Sequence, residues 1–180
     1  MRRGGILQGE WGLLTGMLGI VVLPPVVLMI LEREPAIWKG QYYRSPDFSG
    51  QPVVRRDRDP GLDRRPGLPP EVRDAETFSV RWETVLDAGE GGVAAFMLTS
   101  KGGSRLLLNG RTAIDNRSGP LQFRHTRGFQ TRLPAGRVRI TVEHVVATER
   151  PFLALSASFD GEPPRRIDPE RLRHPGDGNP

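Results

Sequence analysis

The chain contains no cysteine. Disulfides, thiol chemistry and cysteine-ligated zinc are therefore excluded, and no oxidising compartment is required or ruled out. Lysine is nearly absent: only Lys39 and Lys101 occur, leaving 24 arginines among the 26 basic residues. Histidine is limited to His125, His144 and His174, and no two of them stand at a metal-ligand spacing. There is no G-x-S-x-G elbow, no phosphate loop and no H-E-x-x-H. The carboxylates Glu83, Asp87, Asp115 and Glu143 fall on different strands and turns, so nothing in the sequence holds a pair in one cleft for acid–base work. These absences predict a chain that is no enzyme, with no catalytic residue, no metal site and no cofactor.

A single-sign charge excess is also missing. The net charge is +5, with 26 basic and 21 acidic residues. The arginines are spread along the chain and interleaved with acids, as in Arg55-Arg56-Asp57-Arg58-Asp59. No basic helix or aromatic-studded basic strand is present, which argues against a nucleic-acid partner and for an arginine-rich solvated surface.

Long apolar runs are confined to one place. Trp11–Leu31 is 21 residues without a charge, between Glu10 and Glu32. As a helix it would reach roughly 31 Å, about the thickness of a bilayer core. Pro24-Pro25 would kink it, which membrane helices tolerate. A cleavable signal peptide fits less well, because the run exceeds the usual ~7–15 apolar residues and no small-x-small site follows Leu31. The expectation is a single-pass signal anchor at 11–31 with the lipid bilayer as its partner, after a cytoplasmic 1–10 and before a linker at 32–39. Arg2 and Arg3 before the helix and Arg33, Lys39 and Arg44 after it nearly balance, so charge alone does not orient it.

The rest of the chain is organised around Phe78–Asn116. Phe78, Val80, Trp82 and Leu86 recur at every second position, with Thr84 in the gap and Ser79, Arg81 and Glu83 between them. That period of two predicts a strand with one buried and one wet face, and puts Trp82 in the core, not on a sugar-stacking surface. The glycines of Asp87–Gly92 mark a turn, and Val93–Thr99 a second strand. Leu106–Leu108, Asn109-Gly110 and Thr112–Ile114 then form the strongest hairpin signal in the chain, because Asn-Gly suits a two-residue type I′ turn. Val138, Ile140 and Val142 alternate, and Leu153, Leu155, Ala157 and Phe159 share one face of a closing strand. Leu121, Phe123 and Phe129 predict one or two short strands between them. His144, two residues beyond Val142 on the same face, reads as a packed structural histidine. The fold class is therefore all-β: an antiparallel β-sandwich over 40–160, preceded by one N-terminal transmembrane α-helix.

The spacing F-S-V-R-W-x-x-x-L, an apolar strand, then S-x-x-G-x-R-L-x-L-x-G-x-x-x-I-D-N resembles the protective-antigen-type domain. Gly40–Gly50 is similar to that family's opening strand and turn, and Leu133–Val138 with Ile140–Glu143 to its late strands; the resemblance covers roughly 37–161. It implies a lectin-like β-sandwich of the kind found in toxins, glycosidases, adhesins and bacterial surface proteins. It also implies a domain outside the cytoplasmic membrane, periplasmic or extracellular, and a carbohydrate or an envelope protein as partner. Sugar-binding members carry two adjacent aspartates before the hairpin, which hold a calcium ion that grips sugar hydroxyls. Here those positions are Lys101 and Gly102. An ammonium in place of a carboxylate repels the ion, so the calcium mechanism is expected to be lost. Gly103, Asp115 and Asn116 keep the family's residues. Lys101, Gly102, Gly103, Asp115 and Asn116 are therefore the candidate ligand-binding residues. The competing reading is that Asp115 and Asn116 merely close the hairpin by side-chain-to-backbone bonds.

Two stretches resist this pattern. Arg55–Asp74 carries eleven charged residues and four prolines in twenty, a composition that predicts no ladder strand. It is either a charged excursion over the sandwich or a contact arm for an acidic partner. Gly161–Pro180 lacks apolar periodicity and predicts a mostly disordered tail, with one helical turn near Pro169–Arg173. The sequence thus points to a membrane-anchored, non-catalytic recognition module for carbohydrate or another cell-envelope ligand, or else to an accessory protein docking a membrane or envelope partner.

Overall fold

The computed structural model describes residues 35–62, 67–118, 122–147 and 150–177. The expected anchor at 11–31, the segment 1–10 and the start of the linker lie outside the described residues. Among the described residues, no helix is long and apolar enough to cross a membrane.

The strands are β1 (Trp38–Tyr43), β2 (Val53–Asp57), β3 (Phe78–Asp87), β4 (Gly92–Lys101), β5 (Gly103–Leu108), β6 (Arg111–Asp115), β7 (His125–Leu133), β8 (Arg137–Val146), β9 (Phe152–Phe159) and the short β10 (Leu172–Arg173). A single helical turn, α1 (Pro70–Arg73), stands between β2 and β3. One sheet has seven strands in the order β2-β1-β3-β8-β5-β6, with β10 added to β3; the other has three, β7-β4-β9. Every pairing is antiparallel.

The period of two seen in the sequence sets the core. Phe78, Val80, Trp82 and Leu86 of β3 are fully buried, as are Ile140, Val142 and Val146 of β8 and Leu106 of β5. Phe96 and Leu98 of β4, opposite Ala157 and Leu155 of β9, supply apolar groups from the smaller sheet. All of these belong to one hydrophobic cluster. Burying a side chain of this size stabilises by about 1.5–3 kcal/mol relative to leaving it in water.

The hairpin β5–β6 forms as the Asn-Gly pair predicts. Asn109 (φ 48°) and Gly110 (φ 79°) both take the left-handed conformation that a type I′ turn demands, and Leu108 pairs Arg111 across them. The Asn109 carboxamide oxygen also accepts from the Arg139 amide at 2.8 Å, which ties the turn to β8.

The charged stretch departs from its prediction at its start, where Arg55–Asp57 completes β2. A strand is possible here because β2 is an edge: Arg56 points to solvent, and charged side chains on an edge strand discourage further pairing. Asp57 turns inward instead. Its carboxylate accepts from Tyr42 Oη at 2.6 Å and Trp82 Nε1 at 2.9 Å, and pairs with Arg55 Nε at 2.6 Å. The space is left by Gly40, where a Cβ would come within 2.2 Å of the Asp57 carboxylate. Burial and the Asp57 carboxylate together raise the Tyr42 pKa well above its usual value. Further along, Leu62 bridges Leu153, and Leu68 and Val72 are buried, so the described part of the excursion lies against the sandwich.

The C-terminal segment is a second departure. Residues 161–177 are not a loose tail: a 3₁₀ turn at Pro169–Arg171 leads into β10, which pairs β3 through Leu172 opposite Leu86. The predicted helical turn is present, but Ile167 and Leu172 are buried beside it. Two isolated apolar residues have no periodicity, so only the tertiary surface that receives them reveals their role.

Candidate functional site

The β4–β5 connection is where the chain passes from the three-stranded to the seven-stranded sheet. It does so at one residue, Gly102, with φ +113°. A Cβ at this position would lie 2.6 Å from the Val145 carbonyl oxygen and 2.9 Å from His144 Cε1. Both the conformation and the space therefore demand glycine.

Beneath the turn runs a buried polar chain. Ser100 Oγ donates to the Gly102 carbonyl at 3.2 Å, and Ser104 Oγ donates to Ser100 Oγ at 2.8 Å. Asn116 donates from Nδ2 to Ser104 Oγ and to the Leu98 carbonyl, both at 3.3 Å, and its amide donates to the Ser104 carbonyl at 2.8 Å. Its Oδ1 has no hydrogen-bond partner among the described residues. His144 sits opposite Ser104 and is fully buried, and neither ring nitrogen makes a well-formed hydrogen bond among the described residues. Burial pushes its pKa down to about 3, against a weak opposing backbone interaction at Gly103. The imidazole is thus neutral at any physiological pH.

The five sequence candidates separate into two groups. Gly102, Gly103 and Asn116 are buried and shape the loop from below. Lys101 and Asp115 are partly exposed. Asp115 is held by its neighbour: Arg117 donates to its carboxylate at 2.6 to 3.1 Å, and the Arg117 amide adds a bond at 3.0 Å. The Arg117 guanidinium keeps the Asp115 carboxyl at about 2, well below the usual carboxylate range. Side-chain-to-backbone closure of the hairpin end is therefore present at both Asp115 and Asn116.

Sequence reasoning missed the groups that complete this end. Arg124 lies over the Phe152 ring, 3.6 Å from its centroid, and Phe152 stands opposite Lys101. His125 Nε2 meets the Asn116 carbonyl at 3.3 Å. Their only local signal is the alternation of Leu121, Phe123 and Phe129, which predicts short strands but not what they touch. Among the described residues, no group of three or more histidines, aspartates or glutamates is placed to hold a metal ion.

On the outer face of the seven-stranded sheet, Glu143 is 5% exposed and clamped by two arginines. Arg81 donates to one carboxylate oxygen at 2.8 and 3.0 Å, while Arg105 donates to the other through Nε at 2.8 Å and through Nη2. Each arginine thus directs two N–H groups at one oxygen, charge-assisted bonds that fix geometry as well as stabilise.

Residues 33–144, more than half of the chain, match the PA14 domain. The chain belongs to the PA14 domain family. No curated protein matches it in sequence. Among solved structures it is similar to an anti-sigma factor domain-containing protein from Clostridium clariflavum, with TM-score 0.65 and 20% identity over 79% of this chain and 47% of that one. It is also similar to a β-glucosidase from Kluyveromyces marxianus, with TM-score 0.60 and 16% identity over 69% of this chain and 17% of the enzyme. A third is the epithelial adhesin 9 A domain from Candida glabrata in complex with Galβ1-3GlcNAc, with TM-score 0.57 and 7% identity over 81% and 92% of the two chains. At such identities the likeness concerns the fold. The chain spans about half the length of the anti-sigma factor domain-containing protein.

Proposed function

We propose that this PA14 domain is a non-catalytic recognition module, anchored to a membrane by 11–31 with the sandwich outside the cytoplasm, which binds carbohydrate or another cell-envelope ligand without calcium. The observation that carries the calcium-free reading is the Gly102 crossing. An aspartate there would drive its Cβ against the Val145 carbonyl, which supports a loop that carries no carboxylate at this position. The remaining donors do not fit the ion either. Lys101 brings a positive charge, and the Asp115 carboxylate is already held by Arg117. The orphaned Asn116 Oδ1 is buried and cannot by itself supply the several oxygen ligands that calcium needs. The adhesin domain solved with a disaccharide supports carbohydrate as the ligand class, and the contact end would be the exposed Lys101–Asp115 edge.

The test is a panel of neutral and amino-sugar glycans presented to the full chain in detergent, with calcium and with chelator. Retention of a glycan equally in both, lost on Lys101→Glu, is the expected result. Retention only with calcium overturns the calcium-free reading, and no retention of any glycan overturns the carbohydrate reading.

A second reading, docking of a membrane or envelope protein, is favoured by a groove of about 650 Å³ between the edges β6 and β7, in which Arg111, Thr131 and Arg132 stand beside apolar side chains. Leu108, Ala113, Phe129, Leu133 and Val138 line it. A stoichiometric partner that co-purifies with the full chain, and is lost on Phe129→Ser, would identify this surface.

A further inference from the structure

The outer face of the seven-stranded sheet carries a groove of about 730 Å³ that none of the candidate residues enters. Its floor is Val85 of β3. Val85 stands opposite Arg139 on β8 and opposite Arg173 on β10, so the two arginines flank it in one row across three strands. At about 4.8 Å per strand spacing their backbones lie roughly 10 Å apart. Arg137, two residues before Arg139, shares its face of the sheet, and the wall is completed by Glu83, Thr141 and Asn109.

Several arginines of this protein have acids assigned to them, whereas others, such as Arg111 and Arg127, have no acid partner among the described residues. Arg81 and Arg105 share Glu143, Arg117 has Asp115, Arg56 has Asp177 and Arg165 has Glu162. In the groove three arginines stand together. Arg137 and Arg139 have no ion-pair partner among the described residues, and Arg173 donates only to the carbonyls of Glu170 and Leu172. Asp177 also lines the groove, but its carboxylate is taken by Arg56 at 2.9 Å. Three arginines thus converge on one concavity whose own carboxylates are Glu83 and the Arg56-paired Asp177, an excess of positive charge that raises the local concentration of anions.

We propose that this groove binds an acidic saccharide, its carboxylates paired by Arg137, Arg139 and Arg173 and its hydroxyls met by Glu83, Thr141 and the Asn109 carboxamide. The lining distinguishes this ligand from other anions. A guanidinium matches a carboxylate in two parallel hydrogen bonds. Glu83 and Thr141 give acceptors for hydroxyl donors, which a phosphate chain lacks. The aromatic lining of the groove is limited to His174, so a single-stranded nucleic acid lacks the tryptophan, tyrosine or phenylalanine platform on which successive bases stack. The site lies on the same outer face as Asp115 but shares no lining residue with the Lys101–Asp115 end.

The experiment is titration of the full chain in detergent with oligogalacturonate, with a neutral galactan of equal length and with poly-glutamate as comparators. Oligogalacturonate binds, the neutral galactan does not, and affinity falls as salt rises, because exposed charges are screened. Arg139→Gln and Arg137→Gln each weaken binding about tenfold or more, as expected for loss of a charged hydrogen bond of about 1.5–3 kcal/mol. Arg132→Gln, outside the groove, leaves it unchanged. Absence of oligogalacturonate binding, equal binding of the neutral galactan, or an unaffected Arg139→Gln would overturn the proposal. Preference for poly-glutamate over oligogalacturonate would overturn it in favour of an acidic peptide. Since the Lys101→Glu variant reports on the other end of the sandwich, failure of one site is readable apart from failure of the other.

Discussion

Asp57 has three partners drawn from three places in the chain: Arg55 beside it, Tyr42 fifteen residues before and Trp82 twenty-five residues after. Removing its carboxylate leaves the Trp82 indole N–H and the Tyr42 hydroxyl without their acceptor in the interior. Each orphaned donor costs about 1–3 kcal/mol, so Asp57→Ala should destabilise by roughly 2–4 kcal/mol, measured by urea denaturation. Gly40→Ala should act through the same network, since its methyl would displace the carboxylate. His144 carries a pH dependence whose sign follows from its pKa of about 3. In the unfolded chain an imidazole titrates near 6.5, so below that pH the unfolded state takes up a proton that the folded state refuses. This contribution to stability is complete above pH 6.5 and falls as pH drops towards 3, by at most about 1.4 kcal/mol per pH unit. His144→Leu should flatten the profile between pH 7 and 4.5 relative to the parent. Parallel profiles would mean that the ring is protonated or reaches water.

Among the elements, the two glycine turns on either side of β5 differ in a way that substitutions can resolve. Gly110 has nothing within 4 Å of where a Cβ would be, so Gly110→Ala costs only the left-handed conformation, about 1–2 kcal/mol. Gly102→Ala adds a contact of 2.6 Å with backbone, which cannot swing aside as a flexible side chain does. It should cost clearly more than Gly110→Ala in the same thermal or chemical melt; equal losses would show that the β4–β5 crossing can relax. The Asn109-Gly110 turn was legible in the sequence because its chemistry is local. The demand at Gly102 was not, because the atoms it would strike belong to β8, some forty residues on. β2 was missed for a related reason. Its charges argue against a strand only if both faces and both edges are buried, and here one edge is free.

Across the whole molecule, the calcium question becomes a measurement on the fold. A ligand at 100 times its dissociation constant adds about 2.7 kcal/mol to the native state, enough to raise the melting temperature by several degrees. Millimolar calcium and excess chelator should give coincident melts of the full chain, and a shift of several degrees would show that other oxygens have replaced the missing aspartates. The same scale explains why charge alone named no partner. A net charge of +5 says nothing of placement, yet folding pairs some arginines with acids and leaves three of them around one groove.

What the sequence determined by itself was local in range. Alternation along β3, β8 and β9 set which faces are buried, the Asn-Gly pair set the hairpin, and the order of these signals marked the family. The tertiary structure decided what depends on residues distant in the chain. It seated Ile167 and Leu172 on the sandwich, turned Asp57 inward to Tyr42 and Trp82, and brought Arg137, Arg139 and Arg173 around Val85. The reason is physical: strand propensity and turn geometry act over a few residues, whereas burial and charge compensation are set by which strands become neighbours in a sheet.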